Sequence, residues 1–170
     1  MQNKTNLLGY SQKSLEVFFK DIDEPSFRAK QLLKWVHQKG ELDFGVMTDF
    51  NKTLRERLKN IAILKTPTVK SVLTSEEGTK KYLVELDSGS SVEMVRIPEK
   101  KRMTLCISSQ AGCALQCTFC ATGAQGFDQN LTSDEIIGQV WLANFYDREE
   151  SPITNVVFMG MGEPLLNFNP

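Results

Sequence analysis

The chain has 170 residues, of which 41% are apolar and 24% charged, and a net charge of −1. That length holds one ordinary domain, or a small domain with part of a larger one, and the balance is that of a globular protein, not a disordered one. No apolar run reaches transmembrane length, and "MQNKTNLLGYSQKSLEVFFK" lacks the basic, apolar and small-residue segments of a secretory signal. A cytoplasmic location without a membrane partner is therefore expected, where thiols stay reduced.

The first 65 residues read as helices. Leu15, Phe18, Phe19 and Ile22 recur at helical spacing behind Ser11 or Ser14 as a cap. Asp23-Glu24-Pro25-Ser26 breaks this helix. Ala29, Leu32, Leu33 and Val36 form a second stripe, stopped at Gly40. Leu54, Leu58 and Ile61 mark a third helix beginning near Asn51. Residues 1–65 carry 12 Lys/Arg against 8 Asp/Glu, a net of +4, whereas residues 66–170 carry 8 against 13, a net of −5. The helical module is expected to present a basic face, with Lys30, Lys34, Lys52, Arg55 and Lys59 as candidate polyanion contacts. The bland alternative is an ordinary solvated surface.

Near Pro67 the apolar period changes from 3.6 to 2. "TVKSVLT", "TKKYLVEL" and "SSVEMVRIP" read as a short antiparallel meander, turning at Glu76-Glu77-Gly78 and Asp87-Ser88-Gly89. After Pro98 and Lys100-Lys101-Arg102, "RMTLCISS" is a fourth strand leading into a cysteine loop. The expected divisions are 1–65 for the helical module, 66–98 for the meander and 99–170 for a following α/β segment. In that segment Thr132-x-x-Glu135 signs a capping box at the start of an amphipathic helix. "ITNVVFMG" then reads as a buried parallel strand, completing a βαβ unit.

All four cysteines lie in this segment, as Cys106 and the C-x3-C-x2-C set Cys113, Cys117 and Cys120. In a reducing compartment such clustering points to metal or catalysis. Four thiolates would suit a structural zinc ion. Three on a short loop suit a [4Fe–4S] cube with one iron left open for a non-protein ligand. His37, the single histidine, sits in the helical module and reads as surface or core. "MGMGEP", residues 159–164, lacks the third glycine of a dinucleotide fingerprint. It still ends a strand where α/β proteins bind ligands, and Glu163 suits an ammonium. Met159 and Met161 read as packing residues.

The sequences "FRAKQLLKWVHQKG", "TLCISSQAGCALQCTFCATGAQGF", "NLTSDEIIGQVW" and "NVVFMGMGEPLLN" together resemble the RlmN/Cfr family of radical S-adenosylmethionine RNA methyltransferases. The resemblance runs from about residue 26 to the last residue and is closer to the RlmN branch, which methylates adenine C2 of 23S rRNA and tRNA, than to the Cfr branch, which methylates C8. It implies an α/β fold in which the helical domain is an RNA-binding accessory domain and residues 99–170 are the first βα units of a partial (βα)6 barrel. It implies that Cys113, Cys117 and Cys120 ligate a [4Fe–4S] cluster and that Gly162 and Glu163 contact S-adenosylmethionine. It implies that Glu93 acts as acid/base, and that Cys106 resolves a covalent RNA intermediate through a transient disulfide. An electron donor such as flavodoxin and a monomeric full-length enzyme are implied as well. The family's methyl-carrying cysteine lies far downstream and has no counterpart here, so the chain is expected to be an N-terminal part that is inactive alone. A non-catalytic RNA-binding module with a four-cysteine zinc site, and a radical enzyme with another substrate, remain as alternatives.

Overall fold

The structure is a computed structural model that describes residues 4–115, 117–146 and 151–169. It divides into two compact units, one up to Lys65 and the other from Thr66.

The first unit is built on three helices, α1 (Gln12–Asp21), α2 (Arg28–His37) and α3 (Lys52–Ile61). A two-residue strand, β1 (Thr5–Asn6), lies parallel to β2 (Ala62–Ile63). Side chains close the starts of α1 and α3. Ser11 Oγ accepts the Ser14 N–H at 3.1 Å, and Asn51 Oδ1 accepts that of Leu54 at 2.8 Å. Asp23 turns the chain after α1 at φ +56°. The helical stripes converge on a core containing Leu15, Phe19, Ala29, Leu32, Leu54 and Leu58, all buried, with the Phe19 and Phe50 rings 6.1 Å apart. Each fully buried Leu or Phe contributes about 1.5–3 kcal/mol relative to exposure.

The second unit is α/β. β3 (Thr68–Thr74), β4 (Lys80–Glu85), β5 (Ser91–Glu99) and β6 (Arg102–Cys106) form an antiparallel meander. β6 then pairs with β9 (Asn155–Val157) in parallel, giving the sheet order β3-β4-β5-β6-β9. The meander thus continues through Glu99↔Arg102 into the α/β segment as one sheet. Between β6 and β9 lie β7 (Gln110–Gly112), a short helix α4 (Ala121–Ala124), β8 (Phe127–Asn130) and α5 (Ser133–Phe145). The capping box at Thr132 is present. Its Oγ1 accepts the Glu135 N–H at 3.4 Å, and the Glu135 carboxylate accepts the Thr132 N–H at 2.9 Å.

Alternation assigns the two faces of the sheet. Tyr82, Val84, Val92, Met94 and Leu105 are buried in one core with Ile136, Leu142 and Ala143 of α5. Glu93, Val95 and Cys106 point to the opposite face.

Two strand expectations need correction. "RMTLCISS" ends its ladder at Cys106, because Ser108 and Ser109 turn toward β7 and make side-chain and loop bonds instead. "ITNVVFMG" pairs only over Asn155–Val157. It is not buried either: Val156 is 44% exposed, and Met159, expected to pack, is 80% exposed. This strand pairs only with β6 in the described sheet, so its apolar residues have little to pack on. Met161 does pack against the core of the second unit.

Candidate active site

The cysteine loop is held by a hairpin that the sequence pattern did not announce. β7 and β8 pair antiparallel through Gln110↔Asn130 and Ala111↔Gln129, with a register shift before Gly112↔Phe127. At the shift Gly112 has φ +72°, and a Cβ there would lie 1.9 Å from the Gly126 carbonyl oxygen. Only glycine lets the two strands close at this point. The closure lets the Cys113 N–H donate to Gly126 O at 2.9 Å, which fixes the first cysteine at the root of the loop.

Cys113 is buried, while Cys117 and Cys120 are half-buried. The Cys120 N–H donates to Cys117 O at 3.1 Å, so these two are joined by a tight turn. Cys120 is the residue immediately before α4, and the backbone amides of Gly123 and then Thr122 hold its thiol below the ordinary range. Phe119 between them is 92% exposed. Among the described residues no three His, Cys, Asp or Glu side chains gather at a point that one metal ion would occupy. A cube, in contrast, takes each thiolate on a different iron. In donor chemistry the residues suit such a cluster: three thiols on one loop, one of them biased toward the thiolate.

The chain after β9 folds back onto the root of the hairpin. Gly160 N–H donates to Ile107 O at 3.0 Å, Met161 N–H to Ser108 Oγ at 2.8 Å, and Ser109 N–H to Met161 O at 2.9 Å. Gly162 has φ +92°, and its missing Cβ leaves room for Gln110, whose Cβ would be only 2.4 Å away. Glu163 Oε1 accepts the Leu165 N–H at 3.0 Å, capping a 3-10 turn over Pro164–Asn167. This fixes the carboxylate through one of its two oxygens. Glu163 and Gly162 thus sit directly beside the hairpin that carries the cysteines.

Glu93 and Cys106 share the sheet face opposite the α5 core. Val95 and Cys106 are the last pair of the β5–β6 ladder, and Glu93, two residues before Val95 on β5, points to the same face, its carbonyl accepting from Ser108 Oγ at 2.6 Å. The two side chains are diagonal cross-strand neighbours, a relation that puts Cα atoms about 7–8 Å apart. Lys81 Nζ lies 2.9 Å from Glu93 Oε1, with both side chains 45% exposed. Burial pushes the Cys106 thiol up, opposed by a hydrogen bond with the Met159 backbone. Alkylation reports this contrast, because only the thiolate reacts. In the metal-free chain Cys120 should be modified at lower pH than Cys106, read by peptide mass mapping across a pH series. Earlier modification of Cys106 would contradict the assigned environments.

The sequence reading missed the buried polar residues that hold these pieces together. Gln139 brackets Ser108, donating to its carbonyl and accepting its N–H, both at 2.9 Å. Asn167 Nδ2 donates to Ser109 O and Leu131 O, each at 2.8 Å. Gln110 spans from Glu163 to Asn130. The one signal in the sequence was the run Ser108-Ser109-Gln110 placed between apolar residues.

In the helical unit the basic candidates divide. Lys30, Lys34 and Lys52 are exposed. Arg55 turns inward and donates through Nη1 to Gly45 O at 2.5 Å, and Lys59 pairs with Glu56 at 3.3 Å. His37 is exposed at the end of α2. No helix of the described residues is long and apolar enough to cross a membrane.

Residues 5–64 match the family model described as the ribosomal RNA large subunit methyltransferase N-terminal domain. A protein of Marinobacter nauticus named dual-specificity RNA methyltransferase RlmN is 54% identical over 169 residues, covering 97% of this chain and 46% of that protein. Its namesake in Pseudomonas fluorescens is 55% identical over 171 residues, covering 98% and 45%. A crystal structure of a radical SAM methyltransferase from Sphaerobacter thermophilus superposes with a TM-score of 0.87 at 36% identity, over 96% of this chain and 49% of that one. The chain spans just under half the length of these relatives.

Proposed function

Because the chain belongs to the RlmN family, we propose that the protein containing it methylates adenine C2 of 23S rRNA and tRNA by a radical S-adenosylmethionine mechanism. The observation that carries this reading is the seating of Met161, Gly162 and Glu163 against the root of the cysteine hairpin. A cofactor held by that turn would lie beside the metal loop.

Cys113, Cys117 and Cys120 would hold the [4Fe–4S] cluster, and Gly162 and Glu163 would receive S-adenosylmethionine, Glu163 through its second carboxylate oxygen. When bound, these groups supply one-electron cleavage of the sulfonium, chemistry that no side chain offers. The protein's part is position and proton handling. Lys81 holds Oε1 of Glu93 and leaves Oε2 to exchange a proton with the adenine. Cys106, a neutral thiol at rest because of burial, lies on the same face. Once deprotonated, its thiolate would attack the sulfur of the downstream methyl-carrying cysteine, so that the S–S bond forms as the S–C bond to the RNA-linked methylene breaks and the released carbon takes up a proton. That face would line a partial (βα)6 barrel. The helical unit would hold folded RNA through shape and phosphate, with Lys30, Lys34 and Lys52 as its contacts. Flavodoxin is the proposed electron donor, the cytoplasm the proposed location, and a monomer the proposed state.

The test is anaerobic incubation of the full-length protein with reductant, S-adenosylmethionine, and a 23S rRNA fragment or tRNA, followed by nucleoside mass spectrometry. 2-Methyladenosine is the expected product. 8-Methyladenosine would move the protein to the Cfr branch, and a purified protein with one zinc and no iron would end the radical reading.

A further inference from the structure

Gln110 is 1% exposed and lies in the three-residue β7, yet both ends of its amide are engaged. Its Oε1 accepts the Glu163 N–H at 2.9 Å, and its Nε2 donates to Asn130 Oδ1 at 2.8 Å. A backbone N–H can only donate, which fixes the acceptor end of the amide toward Glu163 and the donor end toward Asn130. Asn130 is also the cross-strand partner of Gln110, so the amide braces the hairpin that carries the cysteine loop. The Gln110 N–H donates to Met161 O at 3.2 Å, and its Cβ fills the space left by Gly162. The β6–β9 ladder ends at Val157, and the bonds that tie Gly160 and Met161 to Ile107, Ser108 and Ser109 stop short of Gly162 and Glu163. A buried amide left unmatched is costly, so each group it reaches is held in place.

We infer that Gln110 is a positioning residue that locks the Gly162–Glu163 turn to the root of the cysteine hairpin, keeping the cofactor-binding turn and the metal loop in one register. The inference rests on the proposed roles of Gly162 and Glu163. It adds that their placement comes from the hairpin side and is set by a side chain outside both motifs. Loss of the amide frees the Glu163 peptide without removing any ligand of the metal.

The experiment uses the full-length protein, reconstituted anaerobically, with Gln110→Ala and Gln110→Glu. Four quantities are read: iron per chain, thermal midpoint, affinity for labelled S-adenosylmethionine by equilibrium dialysis, and the change that S-adenosylmethionine makes in the electron paramagnetic resonance of the reduced protein. Gln110→Ala is expected to keep its iron and to bind S-adenosylmethionine roughly tenfold or more weakly, the scale set by losing a residue that orients a metal site's ligands. The resonance change should fade at concentrations that saturate the parent. Gln110→Glu retains an acceptor for the Glu163 N–H and lets Asn130 present its amide nitrogen, so it should recover most of the affinity. Parent-like affinity in Gln110→Ala overturns the inference. So does a Gln110→Glu as weak as the alanine variant, or a Gln110→Ala that loses iron in step with affinity, since the residue would then only support the hairpin. If Gln110→Ala does not fold, Gln110→Glu carries the decision through the same affinity. A parent protein that binds neither iron nor S-adenosylmethionine would instead refute the reading on which this rests.

Discussion

Replacing Cys113, Cys117 or Cys120 with alanine in the full-length protein is expected to remove iron and sulfide together, whereas Cys106→Ala is expected to keep both and lose turnover. The three loop thiols share one hairpin, whose root fixes Cys113 and whose turn joins Cys117 to Cys120. Cys106 belongs to the sheet and pairs with Val95 and Val157 on its two sides. Burial of its sulfur, which outweighs the hydrogen bond with the Met159 backbone, favours the protonated thiol, the opposite of what a metal ligand needs. A cube missing one of three protein ligands has too few anchors to persist, so the effect on iron content should approach complete loss. Iron and acid-labile sulfide, measured per chain after anaerobic purification, decide the matter. If Cys106→Ala lost metal as fully as the other three, the four-cysteine site would be restored.

The helices were legible because their signals are local. Leu15 and Phe19, or Leu54 and Leu58, lie one turn apart, and the caps at Ser11, Asn51 and Thr132 sit at fixed offsets from the donors they satisfy. The meander was legible for the same reason: Tyr82 and Val84 alternate with polar neighbours, and the turns at Gly78 and Gly89 take positive φ. The hairpin around the cysteines was not. "QAG" and "FDQN" are too short and too polar to show a period, and their pairing depends on one closely approached glycine and a buried amide. "ITNVVFMG" misled in the other direction, since eight apolar-rich residues imply a long buried strand and three pair. Burial of such a strand is set by what covers it, which lies outside its own sequence. The three thiols stood out by spacing. Glu93, an ordinary strand glutamate by pattern, gained meaning only from the resemblance, and the strand register then put it on one face with Cys106. Ser108, Gln110, Gln139 and Asn167 escaped because a polar residue announces its burial only through partners distant in the chain.

Gly112→Ala is expected to destabilise the α/β unit far more than Gly126→Ala, although both glycines lie in the same hairpin at positive φ. Gly112 has φ +72° and Gly126 has φ +81°. The intrinsic penalty for placing alanine in the left-handed region is thus shared, about 1–2 kcal/mol. The surroundings differ. A Cβ on Gly126 meets nothing within 4 Å, but on Gly112 it meets the Gly126 carbonyl oxygen at 1.9 Å and Phe127 Cα at 3.2 Å. These are backbone atoms of the facing strand, so no rotamer change relieves the clash and the β7–β8 pairing must open. Opening breaks the hydrogen bond from Cys113 N–H to Gly126 O. Gly112→Ala should then cost on the order of 3 kcal/mol or more, within the upper range for single substitutions. Denaturant titration of the full-length protein and its two variants gives the difference directly. Hydrogen exchange at the Cys113 amide localises it, with protection lost in Gly112→Ala and retained in Gly126→Ala. Equal destabilisation by the two substitutions would mean that the hairpin is not closed at Gly112, and the placement of the first cluster ligand would fall with it.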